Sequence, residues 1–147
     1  MKIVVSPNPY RDKQFKNARQ ACSILREAGA EVALCLPFDV DKTFEIPHDL
    51  RFQDIQKEIK TADMLICFGG DGTILHSSKI ATEHNLPILG VNIGTMGFIA
   101  ELEAGEIELL RKIPKGDYTV EERTMLDVSV GNGRQTLFHE TALNDAV

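Results

Sequence analysis

Asp71 occupies a position where a carboxylate is unusual. Gly69, Gly70, Gly72 and Thr73 surround it, and the run follows directly on the apolar Met64, Leu65, Ile66, Cys67 and Phe68. Clustered glycines open backbone conformations closed to other residues and let a bulky ligand reach main-chain N–H groups, which suits phosphate oxygens. A carboxylate there repels the anion the loop would otherwise attract, so its chemistry lies with a hydroxyl or a metal ion. The plain alternative is a turn: Asp-Gly is a common turn dipeptide, and Thr73 could cap a helix. A second glycine-bearing stretch, Gly90, Val91, Asn92, Ile93, Gly94, Thr95, Met96, Gly97, Phe98, also follows an apolar run.

The elements that must hold these loops are those of an α/β fold. Lys2 to Ser6 reads as a strand closed by Pro7, Asn8 and Pro9. Phe15, Ala18, Cys22 and Leu25 recur at spacings of three and four, which predicts an amphipathic helix over about 12–28 with Gly29 at its C-cap. A second strand spans 31–36, and residues 39–47 form a polar connector. A short helix around Phe52 to Ile59 leads to the buried strand 64–68. A helix over 74–83 and a fourth strand over 88–91 follow. This alternation implies an open, mostly parallel, Rossmann-like sheet flanked by helices, over residues 1–100. Both glycine loops then lie at carboxyl ends of strands, the rim where such sheets bind ligands. Beyond Glu101 come a short helical pattern over 105–113, a break at 114–117, and β-rich segments over 120–130 and 135–143 around an Asn132-Gly133 turn. Residues 101–147 are therefore expected to begin an antiparallel β domain, and the chain to be the amino-terminal portion of a longer protein.

Gly69 to Thr73 resembles the Gly-Gly-Asp-Gly-Thr signature of NAD kinases, which convert NAD to NADP with ATP or polyphosphate. Diacylglycerol and sphingosine kinases and 6-phosphofructokinases share near variants. The second loop resembles the NAD kinase segment Gly-Val-Asn-x-Gly-x-x-Gly-Phe, with Thr95 and Met96 where many members carry a basic residue and leucine. Ala142, Leu143, Asn144, Asp145 resembles the family's Asn-Glu/Asp motif, and Arg123 a recurrent family arginine. The resemblance implies a kinase acting on the 2′-hydroxyl of the adenosine ribose of NAD, with Mg²⁺ as the metal. Asp71 would accept the hydroxyl proton or orient the metal, and Gly70, Gly72, Thr73 and Arg123 would contact phosphate. Asp71, Gly72 and Phe98 would line the NAD site, and Asn144 with Asp145 would hold the ribose diol, whose donors and acceptors an amide and a carboxylate can match. For Phe98 the rival reading is a core ring, for Asn144-Asp145 a turn, and for Arg123 a surface charge. A lipid or sugar kinase, or a non-catalytic nucleotide-binding domain, are the alternatives of class.

Composition narrows the field. A formal net charge of −6 over 147 residues argues against a nucleic-acid partner, which would call for a basic patch. No apolar run reaches the roughly 18 residues of a membrane span, and Met1-Lys2 leads into a strand rather than a signal peptide, so a cytoplasmic protein with small-molecule nucleotide partners is expected. Homo-oligomers are common in the family. Cys22, Cys35 and Cys67 fit neither a disulfide framework nor a zinc site and read as buried free thiols. His48, His76, His84 and His139 share no metal-binding spacing. No Walker sequence and no Gly-x-Gly-x-x-Gly falls on Gly69 to Gly72.

Overall fold

The computed structural model describes residues 1–94 and 97–143. Its centre is a five-stranded sheet in the order β2-β1-β3-β4-β5, formed by β1 (Lys2–Pro7), β2 (Glu31–Leu34), β3 (Met64–Gly69), β4 (Ile88–Asn92) and β5 (Leu102–Glu103). Every pairing in it is parallel. Both faces are covered, as an all-parallel sheet requires. Ile3, Val5, Ile66 and Phe68 pack with α1 (Lys16–Glu27) and with Ile107, Leu110 and Ile113 of a 3-10 run, Ala104–Lys115, while Val4, Leu65 and Ala33 pack on the opposite face with Ile59 and with Ala81 of α3 (Asp71–Glu83). A short α2 (Ile55–Glu58) precedes β3. Among the described residues no helix is long and apolar enough to cross a membrane.

Several boundaries differ from expectation, each for a local reason. The helix expected over 12–28 starts only at Lys16, because a 3-10 turn, Lys13–Phe15, and left-handed Gln14 and Phe15 (φ 54° each) precede it. Asp12, fully buried, substitutes for the missing cap: its carboxylate accepts from the Asn17 N–H (3.0 Å), the Asn17 side-chain amide (2.9 Å) and the Ala18 N–H (2.9 Å). Helix α3 opens at Asp71 rather than Ile74, with Gly70 as N-cap, so the acidic residue sits in its first turn. The 3-10 run continues past the expected break at Pro114 and ends at Gly116, which adopts φ 72°.

The antiparallel region is a hairpin of β6 (Leu126–Gly131) and β7 (Thr136–Ala142). The strand expected from Val120 begins only at Leu126. Residues 120–125 pair with no strand; instead Met125 meets Thr82 of α3 (Oγ1 to Sδ 3.3 Å) and Arg123 meets Glu101. Most of the hairpin is exposed on both faces, and the Lys79–Glu140 ion pair (3.2 Å) links it to α3.

Candidate functional site

The loop after β3 is shaped by close approach. A Cβ on Gly69 would lie 2.3 Å from Thr73 Oγ1, so the first turn of α3 folds back over the strand end only because residue 69 has no side chain. Thr73 is buried and its Oγ1 accepts from Asn8 Nδ2 at 2.9 Å. Asn8 belongs to the loop after β1, and that loop is itself fixed. Its N–H donates to Phe68 O (2.8 Å), its side-chain oxygen accepts the Tyr10 N–H (3.0 Å), and its carbonyl accepts the N–H groups of Arg11 (3.1 Å) and Asp12 (2.9 Å).

These two loops, with Phe38 from the loop after β2 and Gly94 from the loop after β4, form a pocket of about 270 Å³ lined also by Asn8, Arg11, Gly70, Gly72 and Thr73. The pocket has the donors an anion needs: a guanidinium, an amide, and the amino end of α3 with its positive dipole. Among the described residues no carboxylate pairs with Arg11. The structure brings Gly70, Gly72 and Thr73 together in the lining of this pocket. Asn8, Arg11 and Phe38 were missed. The Asn8-Pro9 dipeptide reads as a turn, and the one available signal was that the loop after β1 must share the rim with the loop after β3.

Asp71 does not line this pocket. Its carboxylate turns to the second glycine loop, where it accepts the Phe98 N–H (3.2 and 3.1 Å to Oδ1 and Oδ2) and the Ile99 N–H (3.2 Å). A Cβ on Gly97 would come within 2.5 Å of Asp71 Oδ1, so a bare backbone there permits the contact. The second loop is pinned from below by buried Asn92, whose amide donates to the Glu103 carboxylate (3.0 and 3.2 Å) and whose Oδ1 accepts the Gly94 N–H (3.2 Å). Glu103 and Glu106 in turn form the capping box of the 3-10 run. Phe98 is 92% exposed, so among the described residues its ring is uncovered beside this loop.

Arg123 stands apart from the glycine-loop pocket. Its guanidinium lies 3.5 Å from Glu101 Oε1, while Glu101 Oε2 accepts the Gly90 N–H at 3.1 Å. Arg123, Glu101, Ile99 and Leu143 all line a larger cavity of about 700 Å³ between α3, β4 and residues 118–125. Asn144 and Asp145, like Thr95 and Met96, lie outside the described residues.

All three thiols are buried and free. Burial pushes Cys22 up to about 11 and Cys35 and Cys67 up to about 12, which makes them poor nucleophiles and removes them from the chemistry.

Comparison with known proteins agrees with this architecture. The model of the ATP-NAD kinase N-terminal domain matches residues 2–118. The NAD kinase of Natranaerobius thermophilus is 43% identical over 95 residues, covering 64% of this chain and 32% of the relative. That of Caldanaerobacter subterraneus subsp. tengcongensis is 34% identical over 147 residues, covering 99% of this chain and 50% of the relative. The chain thus spans about half the length, or less, of the curated relatives it matches. A crystal structure of yeast NADH kinase complexed with NADH superposes with a TM-score of 0.71 at 20% identity, over 98% of this chain and 47% of that one, a likeness of fold. With the parallel sheet, the two glycine loops on one rim and the family model all in register, the chain belongs to the ATP-NAD kinase family.

Proposed function

We propose that this chain supplies the donor pocket and the catalytic carboxylate of an NAD kinase, which transfers the terminal phosphoryl group of ATP or polyphosphate to the 2′-hydroxyl of the adenosine ribose of NAD. The observation that carries the reading is the hold of Asp71: three hydrogen bonds from two main-chain amides of the second glycine loop, beside a pocket lined by Arg11, Gly70, Gly72 and Thr73. Phosphoryl transfer needs alignment and neutralisation of charge more than covalent help. Gly70, Gly72, Thr73 and Arg11 fit the donor phosphates. Asp71 then accepts the proton of the attacking hydroxyl as the bond to phosphorus forms and the donor's bridging oxygen leaves. Phe98, Asn144 and Asp145 are assigned to the dinucleotide, with the β-rich segment from residue 101 onward forming its side of the site. Arg123 is assigned to a phosphate of the dinucleotide, a role that requires it to exchange Glu101 for the ligand.

Mg²⁺ would enter with the donor phosphates, and Asp71, the carboxylate of the glycine loop, would orient it. Among the described residues no three His, Cys, Asp or Glu side chains converge on a metal, and Mg²⁺ is ordinarily held by one or two carboxylates plus substrate phosphates. When bound, it supplies charge neutralisation at the transferring group. A cytoplasmic location and a homo-oligomer complete the reading.

The test is NADP formation from NAD with Mg²⁺ and either donor, measured on this chain and on a version extended by the half that the curated relatives also have. NADP from the extended protein, abolished by Asp71→Asn, supports the assignment. Activity on diacylglycerol or fructose 6-phosphate instead of NAD would replace it with another kinase of the same fold. If NAD raises the melting temperature of the present chain without turnover, this half binds and does not catalyse.

A further inference from the structure

The pocket at the glycine loop measures about 270 Å³, below the roughly 300 to 1,000 Å³ of sites that enclose a whole small molecule. A string of phosphates fills it, but a nucleoside triphosphate does not go in entire. Its base has to rest on the rim.

One side of that rim is aromatic. Phe38 lines the pocket, and its ring is nearly parallel to that of Tyr10, at 9° and 6.2 Å between centroids. Tyr10 stays 53% exposed although it stacks on a neighbour. Both rings are held in place by neighbours. His76 of α3 sits edge-on to Phe38 at 5.7 Å, and its Nε2 lies 3.0 Å from Pro37 O, which ties the loop after β2 to the helix. Tyr10 donates its hydroxyl proton to Asp41 (3.1 Å) and meets Phe44 edge-on at 5.4 Å. A platform ordered in advance loses little conformational freedom when a flat ligand docks.

We propose that Phe38, backed by Tyr10, is the stacking face for the nucleobase of the phosphoryl donor, so that the chain prefers a nucleoside triphosphate to a bare polyphosphate. The inference rests on the pocket being the donor site. Stacking on an aromatic face is worth enough to separate the two ligands by about tenfold in affinity, and it tolerates any base because every base has a π-face. ATP and GTP therefore bind within a few-fold of each other, and both bind more tightly than tripolyphosphate.

The experiment is calorimetric titration of the chain with ATP and with inorganic tripolyphosphate, both with Mg²⁺, for the native protein and for Phe38→Leu, which keeps an apolar side chain of similar size. The expected result is an ATP advantage of about tenfold in the native chain that disappears in Phe38→Leu. Equal affinities in the native chain, an advantage retained by the variant, or no binding of either ligand would overturn the proposal. Should Phe38→Leu misfold, proton NMR of the native chain decides. Upfield shifts of the Phe38 and Tyr10 ring protons with ATP but not with tripolyphosphate support the platform, and their absence removes it. Neither readout uses NAD, so a positive titration with no NADP formed by the extended protein overturns the NAD kinase reading alone.

Discussion

Asn8 and Thr73 lie 65 residues apart, yet the Asn8 side-chain amide donates to the Thr73 hydroxyl at 2.9 Å. This bond closes the loop after β1 onto the loop after β3, and both residues line the pocket of about 270 Å³. The sheet brings the two strand ends side by side; the hydrogen bond sets how far apart their loops stand. Asn8→Ala removes a donor from a hydroxyl that is buried. A loss of about 1 kcal/mol is expected, seen as a lower urea midpoint at unchanged slope. Tripolyphosphate affinity should fall in the same variant.

Asp71→Asn separates charge from shape. The amide can accept through one oxygen only, and its NH₂ group then faces a main-chain N–H of Phe98 or Ile99. If Asp71 takes the hydroxyl proton, turnover of the extended enzyme falls by about 10² to 10⁴. Circular dichroism should show the fold intact, and the NADP assay reads the rate.

Gly97→Ala tests the same contact from the other side. The new methyl would stand 2.5 Å from Asp71 Oδ1, so the carboxylate has to leave the Phe98 amide. The sheet lies outside this clash. We expect at least a tenfold loss of NADP formation with a urea midpoint close to native, whereas Gly105→Ala, whose added Cβ meets nothing within 4 Å and which does not line the pocket, should cost far less rate.

The thiols set an alkaline limit on stability. Each has a folded pKa raised by burial from an ordinary 9.0, to about 11 for Cys22 and about 12 for Cys35 and Cys67. Below pH 9 both folded and unfolded chains keep their protons, and the contribution is fully present. Above it the unfolded chain ionises first, so stability falls as pH rises towards the folded values. Thermal melts from pH 8 to 11 should show a steady decline, less steep in Cys67→Ala. At pH 8 a thiol reagent should label the native chain slowly and the urea-unfolded chain at all three sites.

Much of this was legible in the sequence because buried parallel strands announce themselves: β1 and β3 are apolar runs, and the glycine loop follows β3 without a gap. What stayed hidden depended on partners distant in the chain. β5 is only Leu102–Glu103, a strand solely because Val91 and Asn92 lie beside it. The start of α3 at Asp71 is fixed by glycines that would ordinarily break a helix. Arg11 carries no local pattern; it lines the pocket in a loop folded by the Arg11 and Asp12 N–H groups donating to the Asn8 carbonyl. Phe98 looked as suited to a core as to a rim, and the turn of Asp71 toward its amide is a tertiary fact that spacing does not encode.

The hairpin of β6 and β7 carries Leu126, Val130, Leu137 and Phe138 uncovered, and only two strands share its hydrogen bonds. Unsupported pairs of this kind offer open edges and greasy side chains to any neighbour. In a concentrated preparation of this chain, molecules should first stick to one another there, and charged replacements at Val130 and Phe138 should keep it in solution while leaving the glycine-loop pocket untouched.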